Sequence, residues 1–417
     1  MTDAFTLPIQ PVEAGPFTAW LVEDHSVPVV SVSWSWPGGA AMDAPGREGT
    51  AAMAAAMLTE GAGELRALAF ADALRDSAVG LNFSAGRDSF EGSFRCLAEA
   101  LPEALRLAKL AMTAPRLDED ALVRVRARAI AGARTQLETP RGQAGRAFWA
   151  SAFPDHPAGR PANGTAESLA AIPPEALRTT LAAQLRRDGL LIGVAGAIRP
   201  AQLAALLQEL FGDLPAGAPA TPPPLPLFTA FGRQVVTVPS PQSQIVFGQP
   251  GIAPSDPDWE VAQVVLRVLG GGGFSSRLME AVRVQRGLTY GIGVGLDTLF
   301  GGGVITGGFA TENAKVAEAL LVTRGVWSDL AQAGPTEAEL EEAVAYLTGS
   351  LPLQFTDSRR IAATLLAMRR NNRPIDWLNG RNDRLRAITK ADAVQIAGAL
   401  LKPESLAVTV AGEPVGL

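Results

Sequence analysis

Two stretches decide the fold: AIPPEALRTTLAAQLRRDGLLIGVAG at residues 171–196 and AITKADAVQIAGALLKPESLAVTVAG at residues 387–412. Ile172 and Ile388 open them and Gly196 and Gly412 close them, 216 positions apart at both ends with no gap. Each reads as a helix leading into a short apolar run that ends on Val-Ala-Gly, the pattern of a buried strand. A helix–strand unit that recurs at a fixed offset is the mark of an internal duplication.

Outward from these copies, further elements recur in the same order. Val30, Val32, Trp34 and Trp36 alternate with Ser31, Ser33 and Ser35, which predicts a half-buried antiparallel strand. Its counterpart is expected at 244–249. In the second half a helix is expected to start with Asp256 as N-cap and Pro257 at its first position. Val261, Val265 and Leu269 would be its buried face, and Gly270 its end. A second helix and two strands follow, the strand pair within 77–96 in the first half and 288–311 in the second. Longer helices come next, near 101–112, 118–137, 315–332 and 337–354. Residues 214–227 (LPAGAPATPPPLPL) admit neither a helix nor a central strand and read as an extended linker. The fold class expected is α+β: two homologous α/β-roll halves, 1–213 and 228–417, each a largely antiparallel sheet with helices packed on one face.

Composition removes several functions. Among 417 residues, 47% are hydrophobic and 19% charged, enough to bury a sizeable core. The net charge is -6, and lysine occurs only at 109, 315, 390 and 402, so nucleic acid is not an expected partner. The longest apolar runs, such as 189–198, are about half of what a membrane span needs. Residues 1–6 (MTDAFT) show no basic or apolar leader region. The location expected is cytoplasmic, or periplasmic if a signal peptide has been removed.

The single cysteine, Cys96, excludes an internal disulfide and a cysteine-based zinc site. Only His25 and His156 are available to a triad or a metal. His25 falls in an expected hairpin turn and His156 in a loop, and loop structuring is expected for both. No G-x-S-x-G occurs. The glycines at 270–273 lack the Lys-Ser/Thr of a phosphate loop, and Gly291, Gly293 and Gly295 fall inside an expected strand, so neither set cradles a phosphate. The helix at 49–58 is alanine-rich and carries no side chain that could bind a metal or transfer a proton, and Glu60 at its end is expected to be solvated.

The duplication, the order of elements and three strings resemble the M16 peptidases, the family of insulinase, pitrilysin and the mitochondrial processing peptidase. The strings are VPVVSVSWSWPGGAAMDAPGREGTAAMAAAMLTEGAG at 27–63, FPDHPAGRPANGTAESLAAI at 153–172 and LGGGGFSSRLMEAVRVQRGLTYGIGVG at 269–295. Peptide-cleaving members carry His-x-x-Glu-His on the first helix, two histidines holding zinc and the Glu activating its water. The resemblance puts those positions at Ala52, Ala55 and Ala56, and the third ligand, a glutamate on a later helix, at Ala131-Gly132. None supplies a donor, so no zinc is expected in this chain. Active members present an Arg and, with six residues between, a Tyr from the second half; Arg283 and Tyr290 match, with Arg286 the competitor. The glycine run, including Gly271, Gly272 and Gly273, resembles, in shorter form, the substrate-admitting loop of the non-catalytic processing subunit. The resemblance implies a zinc-less subunit paired with a homologous zinc-bearing subunit. Zinc is then expected in the partner, peptides are the substrates, and Arg283 and Tyr290 act on the partner's site. The alternatives are a structural core-type subunit and a peptide-binding module without proteolytic role.

Overall fold

Both copies of the duplicated stretch form the helix and strand that their patterns predict. The computed structural model describes residues 6–417; residues 1–5, on which the leader expectation rests, lie outside the described residues. In chain order the strands are β1 (Ile9–Ala14), β2 (Phe17–Glu23), β3 (Val29–Pro37), β4 (Gly61–Ala62), β5 (Leu65–Arg66), β6 (Gly80–Ala85), β7 (Ser89–Leu97), β8 (Leu191–Gly196), β9 (Arg233–Thr237), β10 (Gln242–Pro250), β11 (Ile292–Leu299), β12 (Gly302–Glu312) and β13 (Ala407–Gly412). The helices are α1 (Thr50–Met57), α2 (Ala67–Asp76), α3 (Leu101–Thr113), α4 (Glu119–Glu138), α5 (Pro140–Ala152), α6 (Ala166–Ala170), α7 (Pro174–Gln184), α8 (Pro200–Phe211), α9 (Trp259–Leu266), α10 (Val316–Ala333), α11 (Glu337–Gly349), α12 (Ser358–Arg370), α13 (Arg381–Arg386) and α14 (Lys390–Leu400). The 216-residue offset carries α7 onto α14 and β8 onto β13.

The duplication extends to topology. One sheet runs β1-β2-β8-β3-β7-β6; the other, read from its far edge, runs β9-β13-β10-β12-β11. In each, the central strand pairs antiparallel with both neighbours: β3 with β7 and β8, β10 with β12 and β13. One parallel pair remains in each, β2 with β8 and β9 with β13. Because β8 lies between β2 and β3, the turn holding His25 is not a hairpin, as the sequence pattern had implied, but a crossing between separated strands. His25 Nε2 sits 2.8 Å from Glu23 Oε1.

Two compact units result. The first comprises residues up to Arg134, Pro161–Pro223 and Pro352–Asn379; the second comprises Thr135–Arg160, Pro224–Leu351 and Gly380–Leu417. These differ from the contiguous division at 214–227, because each unit takes in a helical segment from the other side of the linker. In the first unit Val30, Val32, Trp34 and Trp36 face the main helical layer. There the Trp34 ring meets Phe83, Phe94 and Phe211 edge-on at 5.8, 6.1 and 5.6 Å. In the second, Ile245, Phe247, Phe309 and Val410 do the same around Trp327. Trp327 Nε1 donates to Gln249 Oε1 at 3.0 Å, so this indole is buried with its polar group satisfied.

The serine face of β3 is where pattern and structure part. Period-2 alternation predicts that Ser31, Ser33 and Ser35 meet water, yet all three are buried. Helix α12 lies over β8 and β3 on that side. Small side chains let its backbone come close: a Cβ on Gly193 would stand 2.3 Å from the Ala362 carbonyl oxygen. Ser31 Oγ meets Ser358 Oγ at 2.9 Å, and Arg369 donates to the carbonyl oxygens of Thr18 and Ile192. In the second unit α5 plays the same part over β13 and β10, with Phe148 close above Gly248. Each sheet is thus covered on both faces, by several helices on one and by a single borrowed helix on the other.

Two helix ends also differ. α9 begins at Trp259 behind Asp258, not behind Asp256. Asp256 instead closes a turn, its Oδ1 accepting from Asp258 N–H at 2.9 Å and its carbonyl from Trp259 N–H at 3.1 Å. α11 stops at Gly349 and gives way to a short 3-10 turn, Pro352–Phe355, since proline offers no N–H to continue it.

Candidate functional site

The helix carrying Ala52, Ala55 and Ala56 is packed, capped and without donors. Asp43 serves as its remote cap, Oδ2 accepting from Gly49 N–H at 2.8 Å and Oδ1 from Ala51 N–H at 2.9 Å. Ala55 is buried, while Ala52 and Ala56 are half-buried. Gly132 lies on an exposed part of α4, with open space where a Cβ would stand. Alanine and glycine side chains offer no lone pair, so these positions do not fit zinc. Among the described residues no three His, Cys, Asp or Glu side chains converge as a metal site. Glu60 is not simply solvated: Arg124 and Arg128, one turn apart on α4, reach its two oxygens at 3.3 and 3.1 Å.

In the second unit, the glycine run is not a helix end followed by a tight turn. From α9 the backbone continues through a π turn, Arg267–Gly271, then a 3-10 turn, Gly273–Ser275, then a second π turn, Met279–Val284. π turns are rare and concentrate at functional sites. Gly270 is required by a close approach, since a Cβ there would press on Val294 of β11 at 2.9 Å. Gly273 has φ of +61°, a left-handed backbone suited to glycine. Gly271 and Gly273 are exposed and Gly272 half-buried.

Arg283 sits on the second π turn, half-buried. Its guanidinium carbon lies 4.5 Å from the centre of the Phe274 ring. Arg286 is engaged locally, donating to the Ala281 carbonyl at 2.9 Å and to Gln285 Oε1 at 3.2 Å, whereas among the described residues no hydrogen bond or ion pair holds Arg283. Tyr290 follows, just before β11, and is 87% exposed. The backbone around it is pinned by two threonines. Thr289 Oγ1 donates to the carbonyls of Gly291 and Ala310 at 3.0 and 2.8 Å, and Thr311 Oγ1 to that of Leu288 at 2.5 Å. An exposed ring on a fixed backbone is presented outward, not packed as the start of an amphipathic strand. Arg283 and Tyr290 thus lie on one short segment; among the described residues no hydrogen bond or cation–π contact joins the two.

Sequence reasoning missed three contributors here. Phe274 follows four glycines, and the isolation of a large apolar residue in such a run was its only signal. Arg277 pairs with Glu339, 62 positions away, a distance no local pattern spans. Arg267 stacks on Tyr346, its guanidinium carbon 3.3 Å from the ring centre. The two tyrosines of the chain, Tyr290 and Tyr346, are therefore both exposed, and both stand near the glycine run or the segment that follows it.

Residues 171–347 match the family model described as the Peptidase M16 inactive domain. A non-peptidase homolog, YmxG, of Helicobacter pylori is 26% identical over 344 residues, 82% of this chain and 79% of that one. An uncharacterized zinc protease, ML0855, of Mycobacterium leprae is 30% identical over 224 residues, 53% of this chain and 50% of that one. The match thus spans about half the length of the mycobacterial relative. The crystal structure of a peptidase M16 inactive domain from Pseudomonas fluorescens superposes with a TM-score of 0.93 at 24% identity, over 98% of both chains. Across residues 171–347 the chain thus matches the M16 inactive domain, and the whole chain shares the fold of the Pseudomonas fluorescens structure. A non-catalytic M16-like subunit is the kind of protein these findings support. Among the described residues no helix is long and apolar enough to cross a membrane.

Proposed function

We propose that this chain is the non-catalytic partner of a zinc-bearing M16 homologue, and that the pair degrades or processes peptides. Its own zinc positions hold Ala52, Ala55, Ala56 and Gly132, so the hydrolytic metal belongs to the partner. This chain would supply Arg283 to hold a peptide carbonyl. It would supply Tyr290 to donate a hydrogen bond to the oxyanion that forms on attack by metal-activated water. Gly271, Gly272 and Gly273 would let substrate pass close to the backbone. The observation that carries this reading is the presentation of Tyr290: an exposed phenol on a backbone held by Thr289 and Thr311, close in sequence to an arginine that no hydrogen bond or ion pair holds among the described residues. The test is co-expression with an H-x-x-E-H homologue from the same genome. A stable heterodimer that cleaves peptides, when neither chain does so alone, supports the reading. A zinc homologue fully active without this chain, and forming no complex with it, contradicts it.

A further inference from the structure

We propose that Phe274 is the positioning residue for Arg283, fixing its guanidinium while leaving every N–H donor free for substrate. The proposal rests on the reading that Arg283 faces a peptide. Phe274 is 68% exposed, yet its loop is firmly anchored. Ser276 is fully buried and donates through Oγ to the Gly273 carbonyl at 2.8 Å. Arg277 then fastens the segment to Glu339 and to the Gly334 carbonyl. Gly273, with its positive φ, turns the chain immediately before the ring.

The choice of an aromatic partner has a chemical consequence. Among the described residues no ion pair or hydrogen bond holds Arg283. Guanidinium is planar, with five N–H donors in its plane. A carboxylate partner would occupy two of them. The Phe274 ring, its centre 4.5 Å from the guanidinium carbon, carries no carboxylate or carbonyl oxygen to take up those donors, and still limits where the group can go. Phe274 thus orders the side chain without spending the donors that a peptide carbonyl needs. Because the ring is borne by the glycine loop, loop position and arginine position are linked.

The experiment compares Phe274→Leu, which keeps the apolar bulk but removes the π face, with Phe274→Trp, which restores it. The first readout is made on the chain alone: NMR of labelled arginine, with the Arg283 resonances assigned by their loss in Arg283→Lys. The δ and ε protons of Arg283 should show an upfield ring-current shift in wild type and in Phe274→Trp, and lose it in Phe274→Leu. Absence of that shift in wild type overturns the proposal. The second readout is the steady-state kinetics of the reconstituted heterodimer. Phe274→Leu should raise KM about two- to fivefold, the equilibrium worth of an exposed cation–π contact, with kcat unchanged and with rescue by Phe274→Trp. Arg283→Ala separates the two ideas. If it raises KM while Phe274→Leu does not, the positioning role is wrong and the substrate-facing reading stands. If it leaves KM unchanged although the ring-current shift is present, the substrate-facing reading is wrong, and the proposal falls with it.

Discussion

Arg277 and Glu339 meet through two parallel hydrogen bonds, Nε to Oε1 at 2.6 Å and Nη2 to Oε2 at 2.7 Å. The same carboxylate closes the capping box of α11, accepting from Thr336 N–H at 2.8 Å. A single side chain therefore ties the exit of the glycine loop to the start of a helix. Both partners are less than a third exposed, so solvent screens the pair less than an ordinary surface bridge.

This arrangement predicts an acid limb of stability. Hydrogen bonding from Arg277 holds the Glu339 carboxyl down from 4.5 to about 2. A folded-state value below the unfolded one stabilises the fold above the unfolded value, and the contribution is lost as pH falls from about 4.5 through about 2. Glu339→Gln should lower stability at neutral pH and flatten the stability profile between those limits. Urea denaturation across that range checks it. A variant with the wild-type slope would show that the pair contributes nothing.

The cover over the first sheet makes a second prediction. Gly193→Ala would drive a Cβ into the backbone of α12 and should cost about 1–3 kcal/mol, the usual range for overpacking. Gly325→Ala, inside α10 with open space around its Cβ, should stabilise by about 0.5–1 kcal/mol through reduced backbone entropy in the unfolded chain. Thermal melts of the two variants should move in opposite directions. Equal or reversed shifts would place α12 elsewhere.

Much of this fold is legible in local patterns. The offset that aligns Ile172 with Ile388 also aligns α7 with α14 and β8 with β13, because a helix face and a buried strand each write their own period into sequence. The exchange of α5 and α12 is not legible. Ile361, Ala362, Leu365 and Leu366 declare an apolar helix face but carry no address for the sheet it covers. Ser31, Ser33 and Ser35 read as solvent-facing because serine is polar; their small size, which admits α12, is the property the structure uses. At the site, the spacing of Arg283 and Tyr290 was readable through resemblance alone. Phe274 and Glu339 entered only with tertiary contact.

The first helix predicts the metal chemistry. Purified alone, the chain should hold far less than one zinc per molecule and cleave no peptide. The variant Ala52→His, Ala55→Glu, Ala56→His should still fail to hold zinc tightly, because two histidines and water leave the site one protein ligand short. Elemental analysis before and after chelation measures both. Stoichiometric zinc in either protein would mean that a ligand lies elsewhere than Gly132.

The central claim is that Tyr290 acts in the partner's reaction, and Tyr290→Phe tests it most directly. The substitution removes one hydroxyl from an exposed ring, so folding and heterodimer assembly should be unchanged. Steady-state kinetics on complexes containing the wild-type zinc subunit should show kcat reduced about 10- to 1000-fold, up to the loss of a full oxyanion donor. KM should be little altered, because that hydrogen bond strengthens only as charge develops. Arg283→Ala should raise KM as well, and Arg286→Ala, whose side chain is engaged within its own turn, should be nearly silent. Wild-type kcat for Tyr290→Phe together with wild-type KM for Arg283→Ala would contradict the account and leave the chain a structural partner.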